Sequence, residues 1–304
     1  MNVLMLAGIS ALVLPGFVPG GAAEMSPSPQ EEVTVTILFD NYSADDRLGT
    51  GWGFAALIET AGHTVLFDTG ADGAMLLENM RLMGKDPSAI ESVVLSHAHA
   101  DHTGGLQALL DMGLRPRLFL LPAFPAELKG TAAASAEVVE ASPGQQIAPG
   151  IRTTGQVGEA IPEQALVLET EAGTVVVTGC AHPGVVQMVE RAREVAPGRI
   201  HLVMGGFHLG EVPEAQVRTI VRRFRDMEVE RAGPTHCTGD PAIALFRDEY
   251  GDRYQPIGVG RVLRFSRLRG TSYCLTLSYT CPWGSCTSLR STRRVSPKAS
   301  PGLG

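Results

Sequence analysis

Three of the chain's eight histidines fall in one stretch, Ser96-His97-Ala98-His99-Ala100-Asp101-His102-Thr103-Gly104-Gly105, directly after the apolar run Val93-Val94-Leu95. Four potential metal ligands thus occupy residues 97–102. Alternate residues of an extended segment point the same way, so His97 and His99 can grip one ion. A turn into a helix would redirect Asp101 and His102 towards a second ion nearby. Imidazole with carboxylate suits zinc, iron or manganese. Such a pair of ions would hold a bridging hydroxide near neutral pH and polarise a substrate oxygen. The bland alternative, a polar loop, fits this spacing poorly.

The same pattern recurs downstream. Apolar strands end in Thr178-Gly179-Cys180-Ala181-His182-Pro183-Gly184, in Gly205-Gly206-Phe207-His208-Leu209 and in Thr235-His236-Cys237-Thr238-Gly239. With the first loop these hold six of the eight histidines. In α/β architectures, sites sit outside the carboxyl ends of strands. Glycines suit such turns, which need positive φ or close backbone approach.

Around these loops the periodicity is that of alternating strands and helices. Val33, Val35, Ile37 and Phe39 alternate with Thr34 and Thr36, the period of a half-buried strand. A hairpin is expected over 54–59 and 64–67, then a helix over 73–83, a strand at 93–95, a short helix over 106–112 and a strand at 118–121. The stretch 122–163 is weakly patterned, and loops with one or two strands are expected there. Strands follow at 165–169, 174–178 and 200–204, with helices over 184–195 and 214–227. Asp240-Pro241 reads as the N-cap and first-turn proline of a helix running to Tyr250. A last strand is expected over 258–265. The Arg-rich 214–227 helix is read as a solvated face.

Composition narrows the function classes. Hydrophobic residues make up 44% of 304 and the net charge is −7, which suits a buried core and disfavours a nucleic-acid partner that needs a basic footprint. Residues 2–23 are apolar but interrupted by Pro15, Gly16, Pro19, Gly20 and Gly21, which argues against a membrane span. Residues 1–24 read either as a signal peptide or as sequence preceding a natural start at Met25, the favoured reading. A cytoplasmic location goes with that start, and a secreted or periplasmic one with a signal peptide. The tail, 267–304, is Ser-rich and basic and is expected to be disordered. Five cysteines are too few and too scattered for a disulfide framework.

The motif HAHADH resembles the H-x-H-x-D-H signature of the metallo-β-lactamase superfamily, and Phe67-Asp68-Thr69-Gly70 is similar to its upstream D-T-G element. The ordered set VTILFDNYS, VLFDTG, VVLSHAHADHTGGL, EQALVLET, VVVTGCAHPG, VMGGFHL and THCTG, spanning roughly 33–265, resembles a narrower branch. That branch is the 7,8-dihydropterin-6-methyl-4-(β-D-ribofuranosyl)aminobenzene-5′-phosphate synthase-like proteins. The resemblance implies an α/β fold, the αββα sandwich, with two mixed β-sheets and helices on the outer faces, over a domain of residues 31–266.

It also implies two divalent metal ions, zinc first, with His97 and His99 at one and Asp101 and His102 at the other. The superfamily usually supplies a further histidine before its bridging residue, yet none lies between His102 and His182. His182 is the candidate replacement, with a role hydrogen-bonding a ligand or touching substrate as its rival. Cys180 stands where relatives usually have a bridging Asp, and a small buried residue is the alternative. His236 resembles the final ligand of the second ion. Asp68 is expected to orient the ligand loop rather than to bind metal. His208 is ranked as substrate-facing or a general acid, beside a structural reading, and Asp101 joins it in the catalytic set. Asp40 and Asn41 are expected to line the site, Cys237 to pack, and His63 and His201 to be structural or exposed.

The implied function is a metal-dependent enzyme acting on a small molecule, pterin- or phosphate-bearing, through metal-bound hydroxide or metal-assisted phosphate-ester chemistry. The alternatives are a lactonase- or β-lactamase-like hydrolase and a non-catalytic metal- or pterin-binding protein. A tRNA-processing nuclease is disfavoured by charge, and a redox di-iron role by the lack of a following flavodoxin-like domain.

Overall fold

The computed structural model describes residues 32–268. The expectations for residues 1–24 and for the tail beyond 268 lie outside the described residues. In chain order the strands of the first half are β1 (Glu32–Phe39), β2 (Ala55–Thr60), β3 (His63–Phe67), β4 (Ser92–Val94), β5 (Arg117–Leu120) and β6 (Glu137–Glu140). Those of the second are β7 (Gln146–Ala148), β8 (Ile151–Thr153), β9 (Leu166–Thr170), β10 (Gly173–Thr178), β11 (Ile200–Gly206), β12 (Arg231–Thr235) and β13 (Val262–Ser266). One sheet has the order β13-β1-β2-β3-β4-β5-β6 and the other β12-β11-β10-β9-β8-β7. Both are mixed: β1, β2, β3 and β13 pair antiparallel and β3 to β6 parallel, while β7 to β10 pair antiparallel and β10 to β12 parallel.

Side-chain alternation along the strands builds three apolar layers. Phe67, Val94 and Phe119 of one sheet meet Leu168, Val175, Val177 and Met204 of the other. Their sequence neighbours point outward. Val93, Leu118 and Leu120 pack under α1 (Gly73–Leu82) and, after the one-turn α2 (Ala100–Thr103), under α3 (Leu106–Asp111). Val176 and Val203 pack under α5 (Val185–Val195), α6 (Glu214–Asp226) and α7 (Asp240–Tyr250). Helix α4 (Ala126–Ala133), between β5 and β6 in the chain, packs Ala132 into the layer of the first sheet. The result is the expected αββα sandwich. Strands buried on both faces read as unbroken apolar runs, as VVL and TVVVT do.

The weakly patterned stretch departs from expectation. Residues 122–163 hold helix α4 and three strands, β6, β7 and β8, rather than loops with one or two strands. β6 is an edge strand with no fully buried residue, β7 and β8 are three residues each, and α4 buries only Ala132. None of these needs an apolar period, so none leaves one in the sequence. The last strand begins at Val262 rather than 258 because Gly258–Gly260 form a turn, with Val259 N–H donating to the Tyr42 carbonyl. Asp240 is the first residue of α7, and Gly239 (φ 80°) holds the cap position. Arg267, expected in the tail, instead bridges Thr170.

Candidate metal centre

Every strand that precedes a ligand-bearing loop ends at the same edge of the sandwich. β3 delivers Asp68, β4 the 96–102 loop, β10 residues 180–182, β11 His208 and β12 His236. Of the five non-glycine residues with positive φ among the described residues, four are Asp68, Ala181, His208 and His236. Each costs on the order of 1–3 kcal/mol, and such strain concentrated at one edge is a mark of function. The loops also interlock: a Cβ on Gly179 would lie 2.2 Å from Ser96 Oγ and 2.9 Å from Asp68 Oδ2.

Two groups of ligand atoms result. In one, Asp101, His102, Cys180 and His236 have their ligand atoms within 4.8 Å of one another; in the other, His97, Cys180 and His182 do. Cys180 therefore sits where the two meet, the bridging place assigned to it. His99, at the solvent side, packs its ring edge-on against His97 and His182, with centroids 4.5 and 4.8 Å away. His102 and His236, 134 residues apart in the chain, have ring centroids 5.1 Å apart.

Hydrogen bonds fix which ring nitrogen faces the centre. Asp68, fully buried, accepts from Ser96 N–H at 2.7 Å, Ser96 Oγ–H at 2.7 Å and His102 Nδ1–H at 2.7 Å. Since its hydroxyl proton points to Asp68, Ser96 Oγ accepts from His97 Nδ1 at 2.9 Å. Asn41 donates its amide to the His236 carbonyl at 3.4 Å, so its Oδ1 accepts from His236 Nδ1 at 3.0 Å. All three rings thus turn Nε2 inward, as second-layer partners of metal-bound histidines do.

The Nε2 atoms of His97 and His182 are buried with no hydrogen-bond partner, and that of His236 meets only Asp101 Oδ2, at 3.3 Å. Unpartnered buried polar atoms are costly and rare, and two of them beside the Cys180 thiol fit a cation. Burial first, then the neighbouring imidazoles His102, His182 and His99, push His97 far below the usual histidine range. Burial and His208 push His182 down to about 4. Both rings are therefore neutral donors. Burial also works against charge on His102, yet Asp68 and Asp101 hold its proton up to about 10. Burial would raise Asp101, but hydrogen bonds to His102 and His236 hold it well below the usual carboxylate range.

Glu163, three residues before β9, carries no sequence expectation beyond opening the EQALVLET element. It is fully buried, accepts from the backbone N–H of Cys180 and Ala181 at 2.8 Å and of His182 at 2.9 Å, and its Oε2 lies 3.9 Å from His97 Nδ1. Burial lifts it to about 7 against the pull of those three amides. Its position 17 residues before Cys180 gives no periodic signal.

Asp40 does not line the site, as expected, but stands behind it: fully buried, it accepts from Tyr42 N–H at 3.0 Å and Thr235 Oγ–H at 2.7 Å. Asn41, half-buried, touches the candidate ligand His236 directly through its own two hydrogen bonds. His208 is exposed, its ring centroid 4.1 Å from that of His182. Cys237, expected only to pack, shares a third ligand group with Cys180 and His208; the hydrogen bonds from Cys180 and His208 hold its thiol low despite burial. His63 and His201 lie elsewhere and pair with Glu91 at 2.9 Å and Glu230 at 3.2 Å.

Residues 49–112 match the family model of the metallo-beta-lactamase superfamily. A solved structure described as Tm1679, a metal-dependent hydrolase of the beta-lactamase superfamily, superposes with a TM-score of 0.66 at 27% identity, over 77% of this chain and 99% of its own. The chain has the metallo-β-lactamase fold. Within that fold it resembles the 7,8-dihydropterin-6-methyl-4-(β-D-ribofuranosyl)-aminobenzene-5′-phosphate synthase of Methanocaldococcus jannaschii, with 26% identity over 264 residues, 71% of this chain and 90% of the relative. An uncharacterized protein of the same organism is 28% identical over 240 residues, 69% of this chain and 92% of its own. In this metallo-β-lactamase fold the strand-end edge described above carries the ligand groups. No helix among the described residues is long and apolar enough to cross a membrane.

Proposed function

We propose that the protein is a metal-dependent enzyme that acts on a small molecule by hydrolytic or phosphate-ester-directed chemistry. The observation that carries this reading is the pair of buried, unpartnered Nε2 atoms of His97 and His182 beside the Cys180 thiol, which is shared with the group of Asp101, His102 and His236. His97, His99 and His182 would hold one divalent ion, Asp101, His102 and His236 a second, and Cys180 would touch both. Histidine, carboxylate and thiolate together favour zinc, with iron or manganese as alternatives. Divalent ions there would supply Lewis-acid polarisation of a substrate oxygen and make water acidic enough to react near neutral pH.

The chain's own residues divide the remaining work. Asp68, Ser96 and Asn41 hold the imidazoles in one tautomer, and Glu163 holds the 180–182 loop against the first ion's place. His208, exposed beside His182, is positioned to pass a proton to a leaving group. The hydrolase description of Tm1679 and the phosphate-bearing product named for the archaeal synthase both fit this chemistry. The net charge of −7 speaks against a nucleic-acid substrate. Free thiols at Cys180 and Cys237 suit a reducing, cytoplasmic setting.

Metal analysis of the purified protein tests the proposal. The expected result is about two transition-metal ions per chain, reduced in a His97→Ala/His99→Ala variant. Absence of bound metal, with no change in that variant, would overturn it.

A further inference from the structure

Cys237 is a buried nucleophile that the proposed chemistry leaves idle. A buried free cysteine ordinarily packs as a small hydrophobe, yet neither Cys237 nor Cys180 belongs to any of the three apolar layers. Both are free thiols. Their Sγ atoms and a ring nitrogen of His208 lie within 4.8 Å of one another. Cys237 Sγ stands 3.7 Å from the Cys180 carbonyl oxygen and accepts hydrogen bonds from Cys180 and His208. Cys180 Sγ in turn meets His102 Nε2 at 3.2 Å. One sulfur thus belongs to the ligand cage, and a second waits beside it.

The strand order would keep these sulfurs apart. Cys180 follows β10 and Cys237 follows β12, with β11 between them, and strands two places apart are separated by about 9–10 Å. What lets the sulfurs meet across β11 is its last residue, Gly206. A Cβ there would lie 2.3 Å from the Gly179 carbonyl oxygen, 2.7 Å from Cys237 Sγ and 3.1 Å from Cys180 Cα. Gly206 is not among the positive-φ glycines, so its value is the room it leaves rather than a backbone conformation. Closing the gap to the roughly 2.05 Å of a disulfide meets no side chain at Gly206. His208, the third member of the group, is exposed, so the pair lies one side chain away from solvent.

We propose that Cys180 and Cys237 form a reversible disulfide, made by an oxidant of the peroxide class, that withdraws the shared thiol from the metal centre. The inference rests on the reading of Cys180 as a ligand of both ions, and adds how that site is regulated. Cys237, which no ion holds, attacks a peroxide oxygen; the O–O bond breaks, and a sulfenic acid and one water result. Cys180 then attacks the sulfenic sulfur and expels its hydroxyl group as a second water. Two thiols and one peroxide give one disulfide and two waters, the sulfurs losing the electron pair that the peroxide gains. A dithiol reductant reverses the step. Only a thiolate serves as a metal ligand, so Cys180 in the oxidised pair no longer bridges.

The test treats the full chain, zinc-loaded and zinc-free, with hydrogen peroxide and reads two quantities. One is a disulfide joining tryptic peptides 153–191 and 232–247, seen by mass spectrometry; the other is zinc affinity. The peptide map separates this bond from any made by Cys274, Cys281 or Cys286. Native protein is expected to give the joined peptides and to bind zinc on the order of tenfold more weakly. Dithiothreitol should restore both thiols and the zinc affinity. Cys237→Ala and Cys237→Ser should bind zinc as native protein does, give no joined peptides and keep their zinc at peroxide concentrations that strip the native protein. The switch is overturned if zinc-free native protein gives no joined peptides, if the bond forms and zinc affinity is unchanged, or if both Cys237 variants lose zinc to peroxide as native protein does. Reduced native protein that binds no zinc sinks the metal reading instead, and the zinc-free peptide map then still decides whether the bond forms.

Discussion

The two halves of the ligand cage are built on opposite electrostatic terms. Around His102 and His236 each imidazole already has polar partners: Asp68 and Asp101 for the first, Asn41 and Asp101 for the second. Around His97, His99 and His182 three imidazoles face one another with no carboxylate within hydrogen-bond distance; Glu163 stands off at 3.9 Å. Without an ion the first arrangement is compensated, whereas in the second burial keeps His97 and His182 neutral and leaves their Nε2 atoms without a partner. The half with carboxylates is part of the folded framework. In the proposed metal centre, the half without them is the one a cation would complete.

That contrast is open to attack, most forcefully at His102. His102→Ala removes the partner of a fully buried carboxylate, and the metal-free protein should lose about 3–5 kcal/mol in urea unfolding. His99→Ala, by contrast, should leave metal-free stability within about 0.5 kcal/mol, as for an exposed side chain, yet reduce bound metal. Equal losses from the two variants would erase the distinction.

A second effect concerns Asp40, whose carboxyl is raised by burial from 3.8 to about 6. A folded-state value above the unfolded one means that the stabilising proton is fully in place below about pH 4 and is lost as pH rises through 6. That change corresponds to about 3 kcal/mol at most. Asp40→Asn should therefore gain on native metal-free protein as pH rises from 4 to 7. A stability difference that stays flat over this window would contradict the assignment.

Smaller is the expected cost of Glu163→Gln, which loses one acceptor for the 180–182 amides. We expect about 1–3 kcal/mol in stability and a ten- to hundredfold weaker first ion, with the second ion retained. Loss of both ions together would show that Glu163 does not act on one half. Least of all, Asn41→Ala should loosen only His236 and weaken the second ion about tenfold, read by competition with a chelator.

How much of this was legible in the sequence follows from how each part is encoded. His97, His99, Asp101 and His102 are contiguous, so their spacing alone announces an ion site. Cys180, His182 and His236 became visible because each closes an apolar strand with a glycine-bearing loop. The framework behind them is different in kind. Glu163 acts through backbone amides, Ser96 relays one carboxylate to His97, and Asn41 reaches a ring 195 residues away, all contacts that leave no period. Asp40 looked like a wall of the site because it follows a strand, but its carboxyl group is buried against Tyr42 and Thr235. In the fold, the alternating strands were readable where both faces are buried, whereas α4 and β6 to β8 were not, since an edge strand and an alanine-rich helix bury too little to be written as a pattern.

One carboxylate, Asp68, holds His102 directly and His97 through Ser96, so the two ligand groups share a common hinge pin. Any ion that draws His97 inward pulls on the same oxygen that steadies His102. Loading should therefore be cooperative: a first equivalent of metal changes the affinity for the next, and a titration curve ought to depart from that of two independent sites.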